Sequence, residues 1–295
     1  MHAHLMISQA LCAWLFLCPL SAETLSFMSY NLKNFLNQER YKDGELVRSK
    51  YKPQVEIEAL TQIIGAAQPD VLGVCEIGTP ADLELLQARL RQQQLDYPYL
   101  EYVRAADSVR HLALLSKHPI TRSQSQSSLT YQIGPQTYPL RRGLLHVQLT
   151  IADQPLHLIG VHLKSKRPTS HSDQAIMRLK EAHLIRDQID QLLERAPQSL
   201  VLVYGDLNDT YKSPPLSALK GNYRSPLYLK PLPLRDSHGL YWTHFWESER
   251  TYSTFDYILC SQALQKYFHS GRIIDSPQVL VASDHRPLIA SFEIQ

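Results

Sequence analysis

Hydrophobic and polar positions alternate between two periods along the chain. "TLSFMSYN" (24–31) has the every-second-residue alternation of a strand and ends on a polar Asn. Short apolar runs closed by a polar residue follow at "VLGVCE" (71–76), "LHLIGVH" (156–162), "LVLVYGDLN" (200–208) and "DYILC" (256–260). Further short β segments are predicted over 111–116, 118–124, 141–150 and 287–294. Between them "PQVEIEALTQIIGAAQ" carries Val55, Leu60, Ile63, Ile64 and Ala67 near helical spacing, with Pro53 at its entrance. "PADLELLQARLRQQQ" predicts a second amphipathic helix. "SDQAIMRLKEAHLIRDQIDQLLER" predicts a long third one, capped by Ser172, with Ile176, Leu179, Leu184, Ile185, Ile189 and Leu192 as its apolar stripe. The stretches 37–53 and 211–250 read as loops, the first charged and mixed in sign.

Strand pairs mixed with helical crossovers predict an α/β (α+β) fold: a four-layer sandwich of two mixed β-sheets packed face to face, with helices outside. No internal repeat or low-complexity linker divides the chain, so residues 23–295 form one expected domain. A hydrophobic content of 44% and 18 prolines fit a loop-rich globular protein. A formal charge of +2 gives no global argument for a polyanionic partner, so any basic footprint has to be local.

The N-terminus is set apart. "LMISQALCAWLFL" followed by "CPLSA" has the apolar run, helix breaker and small residues of a signal peptide over 1–22, cleaved after Ala22. At about 20 residues for a span, the run is too short and too interrupted to cross a membrane, which leaves no stable span after processing. The expected product is a secreted or periplasmic monomer, with an uncleaved anchor as the alternative. Cleavage removes Cys12 and Cys18 and leaves Cys75 and Cys260 in apolar runs, as buried thiols or one disulfide.

The strand ends carry the chemistry. Asn31, Glu76, His162, Asp206 with Asn208, Asp256, and Asp284 with His285 all stand where a strand meets solvent. Each has a plain alternative: a solvated carboxylate, or the Asx chemistry of a turn. As a set they match the way layered folds build a site from rigid strands with exposed tips. Glu76, with Asn31 and Asp284, offers hard oxygen ligands suited to Mg²⁺ or Mn²⁺, with Ca²⁺ a further candidate. Two histidines can act as base and acid near neutral pH, and Asn208 can donate to an oxygen that gains charge. That inventory suits hydrolysis of a phosphate ester.

The ordered blocks "SYNLKNF", "PDVLGVCEIG", "LALLSKHPI", "VHLKSKR", "VYGDLND", "FDYILCS" and "SDHRPLIASF" resemble the endonuclease/exonuclease/phosphatase superfamily. This is the group of deoxyribonuclease I, exonuclease III, abasic-site endonucleases, sphingomyelinases and inositol-polyphosphate 5-phosphatases. The resemblance implies Glu76 as principal metal ligand and Asn31 as its partner near metal and phosphate. It implies Asp206 and Asn208 on the phosphate and attacking water, and His285 as general base oriented by Asp256. Asp284 would contribute to metal or phosphate contacts, His162 would act on the scissile phosphate or leaving group, and Arg142 would bind phosphate, with Arg141 competing. One departure stands out: where many relatives place an acid for the second histidine, this chain reads "VRHLALLS", with Arg110 and His111. His162 is then a hydrogen-bond donor to the transition state unless Asp107 substitutes.

The fold does not set the substrate. Lys164, Lys166 and Arg167 follow His162 and form either a basic rim for a polyanion or a solvated loop. The Tyr and Trp residues of "HGLYWTHFWESERTYS" either stack on bases or pack a long loop. The resulting expectation is a metal-dependent nuclease with nucleic acid, DNA or RNA, as substrate. The alternatives are an esterase of small or lipid phosphoesters, disfavoured for sphingomyelin by the lack of a long apolar docking hairpin, and a non-catalytic binding module.

Overall fold

The computed structural model describes residues 22–36, 41–42, 45–46, 51–170 and 172–295. The leader expected over 1–22, apart from Ala22, and most of the charged loop expected over 37–53 lie outside the described residues.

The first sheet is built from β1 (Glu23–Phe35), β4 (Val71–Ile77), β5 (Tyr99–Val103), β6 (His111–Ser116), β17 (Phe268–Ile273) and β18 (Leu288–Ile294), in the order β17-β18-β1-β4-β6-β5. Two-residue strands β2 (Tyr41–Lys42) and β3 (Glu45–Leu46) pair beside it in sequence. The second sheet runs β13-β16-β12-β11-β10-β7, from β13 (Lys230–Pro231), β16 (Asp256–Cys260), β12 (Leu200–Asp206), β11 (Gln154–His162), β10 (Leu145–Ile151) and β7 (Ile120–Ser123). Each sheet mixes one parallel pair, β1 with β4 and β11 with β12, with antiparallel neighbours. Two hairpins stand apart, β8 (Thr130–Ile133) with β9 (Gln136–Pro139) and β14 (His244–Trp246) with β15 (Thr251–Ser253).

Period-2 alternation splits every central strand between two cores. Leu25, Phe27, Leu158, Leu202, Tyr204, Ile258 and Phe292 meet between the sheets. On the outer face of the first sheet, Met28, Tyr30, Leu72 and Val74 pack under α1 (Gln54–Ala67) and α2 (Pro80–Gln92). On the outer face of the second, Ile159, Val161, Val201 and Val203 pack under α3 (Gln174–Arg195) and α4 (Pro214–Lys220). Short helices α5 (Gln262–Gln265) and α6 (Val279–Ala282) precede β17 and β18. This is the expected four-layer sandwich. Among the described residues no helix is long and apolar enough to cross a membrane.

Two expectations about α3 change. Its N-cap is Asp173, whose carboxylate accepts from Ala175 N and Ile176 N, and not Ser172. Its buried face is Met177, Arg178, Glu181, Ala182, Ile185, Arg186, Ile189 and Leu193, while Ile176 is exposed. Three charged residues occupy the inner face, so apolarity alone pointed about one position aside. Cys75 and Cys260 are both buried free thiols, which decides against a disulfide.

Candidate active site

Register assembles one half of the site. Parallel pairing sets His162 opposite Asp206, and antiparallel pairing sets Asp206 opposite Asp256, so three adjacent strands carry one row of titratable side chains across the second sheet. Gly205 makes this close approach feasible. Its φ of +132° suits no L side chain, and a Cβ there would lie 1.9 Å from Val161 O. The first sheet contributes Asn31 and Glu76 from the facing ends of β1 and β4, where the register shifts and Glu76 turns to φ +63°.

Asp206 is the centre. Its Oδ2 accepts from Asn31 Nδ2 at 3.0 Å and faces His162 Nε2 at 3.6 Å and His285 Nε2 at 3.7 Å. His285 Nδ1 lies 2.8 Å from Asp256 Oδ2, so that nitrogen carries its proton toward the carboxylate. All five groups are buried. Burial pushes the Asp206 carboxyl up; His285 opposes this, and the Asp256 and Glu76 charges add to it. Burial pulls His285 down, but the Asp256 and Asp206 carboxylates outweigh it and hold the imidazole well above its usual range. His162 goes the other way: burial, then the nearby Arg142 charge, depress it, and its Nδ1 has no partner. Asp107 does not supply one. It lies 3.3 Å from Arg142 Nε and caps the 109–110 turn through Val109 N and Arg110 N.

The remaining expected residues divide. Arg142 is buried and Arg141 is half exposed, which singles out Arg142 as the cation that bears on His162. Asn208 does not continue the strand alternation. Its φ is +51°, its N–H donates to Asp206 Oδ1, and its Nδ2 donates to Leu163 O, which turns its amide toward the loop after His162. Asp209 anchors the same turn to α3 through Arg178 Nε at 2.8 Å. Lys164, expected at the phosphate, donates its ammonium to the carbonyls of Ser165 and Arg167 and so closes its own loop. Asp284 sits beside Ser283 and accepts Phe245 N–H on its backbone oxygen.

Sequence reasoning missed several supports. Thr243 Oγ1 accepts from both Phe255 N and Asp256 N and fixes the start of β16. Ser283 Oγ donates to Asn31 O and accepts His285 N–H, joining the last loop to β1. His244 packs its ring on His285 at 4.7 Å and on Phe255 at 5.0 Å. Glu181, buried on α3, accepts Lys164 N–H at 2.6 Å; burial raises its pKa to about 7 against the pull of Arg142. Thr243 and His244 lie where a short strand, β14, begins inside a sequence stretch without periodicity, and Glu181 hides on a helix face that reads as apolar.

Among the described residues, the acidic and histidine side chains whose ligand atoms converge within 4.8 Å are Asp206, Asp256 and His285. Asp256 is committed to His285, so this trio works as a hydrogen-bonded pair facing Asp206. Glu76 and Asp284 are not members of this trio. The donor chemistry nevertheless fits a divalent cation on the Glu76 side. Glu76 and Asp206 repel each other across the site and offer hard oxygens, and Arg110 Nε lies 3.6 Å from Glu76 Oε2.

The Endonuclease/Exonuclease/phosphatase family model matches residues 28–285. A comparison of the sequence with curated proteins gives no match. Among solved structures, a family protein from Bacteroides thetaiotaomicron has a TM-score of 0.64 at 17% identity, covering 93% of this chain and 96% of its own. Truncated Caenorhabditis elegans TDP2 gives 0.60 at 19%, covering 92% and 97%. Sphingomyelinase C from Streptomyces griseocarneus gives 0.57 at 19%, covering 92% and 100%. The chain belongs to the endonuclease/exonuclease/phosphatase family, whose members are metal-dependent phosphoesterases.

Proposed function

We propose that this family member is an exported, divalent-metal-dependent nuclease that hydrolyses phosphodiester bonds of DNA or RNA. The observation that carries the hydrolytic reading is the convergence of His162 and His285 on one oxygen of Asp206, with Asp256 behind His285. Export rests on the apolar leader at 1–22, and the nucleic-acid preference on the cations beside the site. Lys166 stands over the Phe255 ring, Arg142 beside His162, and Lys33 close to His244.

In this reading Glu76, with Asn31 beside it, would hold Mg²⁺ or Mn²⁺. The bound ion supplies charge neutralisation at the phosphoryl group and leaving oxygen. His285 and Asp206 both have raised proton affinity and compete for one proton, which lets Nε2 of His285 alternate between charged and neutral forms. With its proton on Asp206, His285 accepts one from the attacking water, and Asp256 stabilises the imidazolium that forms. His162, held neutral, donates Nε2–H to a non-bridging or leaving oxygen, and Arg142 adds positive charge on the same flank. Asn208 keeps the His162 loop and Asp206 in one register.

Wild-type protein is assayed on plasmid DNA, RNA and bis(p-nitrophenyl) phosphate with Mg²⁺ and with EDTA. Cleavage of a nucleic acid that EDTA abolishes supports the reading. Hydrolysis of lipid or small esters with no nucleic acid cleaved overturns its substrate part, and EDTA-resistant turnover overturns its metal part.

A further inference from the structure

Beside the site lies a cleft of about 870 Å³ that the mechanism does not use. It opens at the edge of the sandwich where β13 and β16 of one sheet approach Ile273 and Leu288 of the other. Asp256 is part of its lining, so the cleft abuts the His285 flank of the centre. Its mouth is aromatic: Tyr211, Tyr241 and Tyr252 are each more than half exposed. These large rings bring apolar area to the surface, which a folded chain spends sparingly unless something covers it.

The rings are interleaved with cations. Lys220 Nζ stands 4.6 Å over the Tyr211 ring and the Arg235 guanidinium 5.7 Å over Tyr241, and Lys212 and Arg235 also line the cleft. The wall behind is rigid. Trp242 packs on Tyr252 at 4.8 Å and is backed at 4.1 Å by Arg286, which is buried and paired with Asp236 at 3.0 Å. Exposed rings on a braced wall, two of them with a positive charge at hand, form a platform that takes flat π-faces and the anions joining them. An acyl chain gains nothing from Lys212, Lys220 and Arg235. In a duplex, base faces are stacked inside and cannot reach the rings.

We propose that this cleft binds unpaired nucleobases flanking the scissile phosphate, so that the protein engages single-stranded polynucleotide in preference to duplex. The proposal rests on the nuclease reading and adds to it a location and a strandedness.

The test uses His285→Ala protein, which binds without turnover, and fluorescence anisotropy of a fluorescein-labelled 12-nucleotide DNA strand or its blunt duplex in Mg²⁺. The single strand binds at least roughly 10-fold tighter than the duplex, and Tyr241→Ala with Tyr252→Ala weakens it by roughly 10-fold or more, as lost base stacking requires. Tyr223→Ala, exposed but outside the cleft lining, leaves the affinity unchanged. The variants keep the parent's thermal midpoint, since both rings are mostly solvent-exposed. Equal affinity for strand and duplex, or no loss in the double variant, overturns the inference. So does binding of phosphatidylcholine vesicles that the double variant loses while the strand does not bind. If wild-type protein cleaves a chromogenic diester but no nucleic acid, the nuclease reading itself falls. If it cleaves nucleic acid and the double variant binds the strand normally, only the cleft assignment falls.

Discussion

His162 and His285 face the same oxygen of Asp206 at nearly the same distance, yet their surroundings give them opposite chemistry. On one flank Asp256, delivered by the strand next to Asp206, accepts a hydrogen bond from Nδ1–H of His285 at 2.8 Å. On the other, Asp107, the acid the sequence offered, is held by Arg142 and by the turn it caps, and Nδ1 of His162 is left without a partner. Burial acts against charge on both rings. It wins at His162, with Arg142 adding to it, and loses at His285 to two carboxylates. One histidine therefore carries protons and the other works as a neutral hydrogen-bonding group. The number of carboxylates within reach, more than the burial of either ring, sets the division.

The comparison is open to attack by substitution. The largest effect belongs to His285→Ala: loss of the proton carrier lowers kcat on bis(p-nitrophenyl) phosphate by about 10³-fold, within the range for general acid–base groups. His162→Ala lowers it by about 10²-fold, as for one transition-state donor. An equal loss in both variants breaks the asymmetry. Next, Asp256→Asn removes the charge behind His285 and makes that flank resemble the other; kcat falls by roughly 10²-fold with little change in KM. An unchanged kcat in Asp256→Asn contradicts the assigned source of His285's basicity.

The smallest effect lies outside the site, where the rule that governs His162 recurs. His146 Nε2 and His157 Nδ1 lie 3.1 Å apart without a carboxylate, and burial, then the neighbouring His157, lowers His146 from 6.5 to about 4. The unfolded chain takes up a proton at His146 below pH 6.5 that the folded chain refuses until about pH 4. Stability is thus present above 6.5 and lost as the pH falls through that window. Thermal melts should show this decline, and His146→Gln should flatten it.

Much of this was legible in the sequence because it is local. A strand that alternates and ends in a polar residue announces both its face and its tip, which is why Asn31, His162, Asp206 and Asp256 fall together. Local rules failed where the chain leaves them. Asn208 adopts a positive φ just past the strand, so counting by two no longer predicts its direction. Lys164 carries the right charge for a phosphate but spends it on Ser165 and Arg167 carbonyls. On α3 the residues that face the sheet include Arg178, Glu181 and Arg186, whose partners come from distant turns, so hydrophobicity misplaces the face. The stretch expected as a plain loop over 211–250 contains α4, β13, β14, Thr243 and His244. Its contacts to His285 and Asp256 depend on tertiary closure that no periodicity encodes.

The central claim, that Asp256 makes His285 unlike His162, is tested most directly by ¹⁵N-edited NMR titration of the ring nitrogens in chelator-treated protein. The account predicts that His285 stays an imidazolium through pH 7, with a strongly hydrogen-bonded Nδ1 proton that Asp256→Asn removes. His162 stays neutral from pH 8 down to pH 6. Two rings that titrate together near pH 6.5, or a His285 signal indifferent to Asp256→Asn, would contradict it.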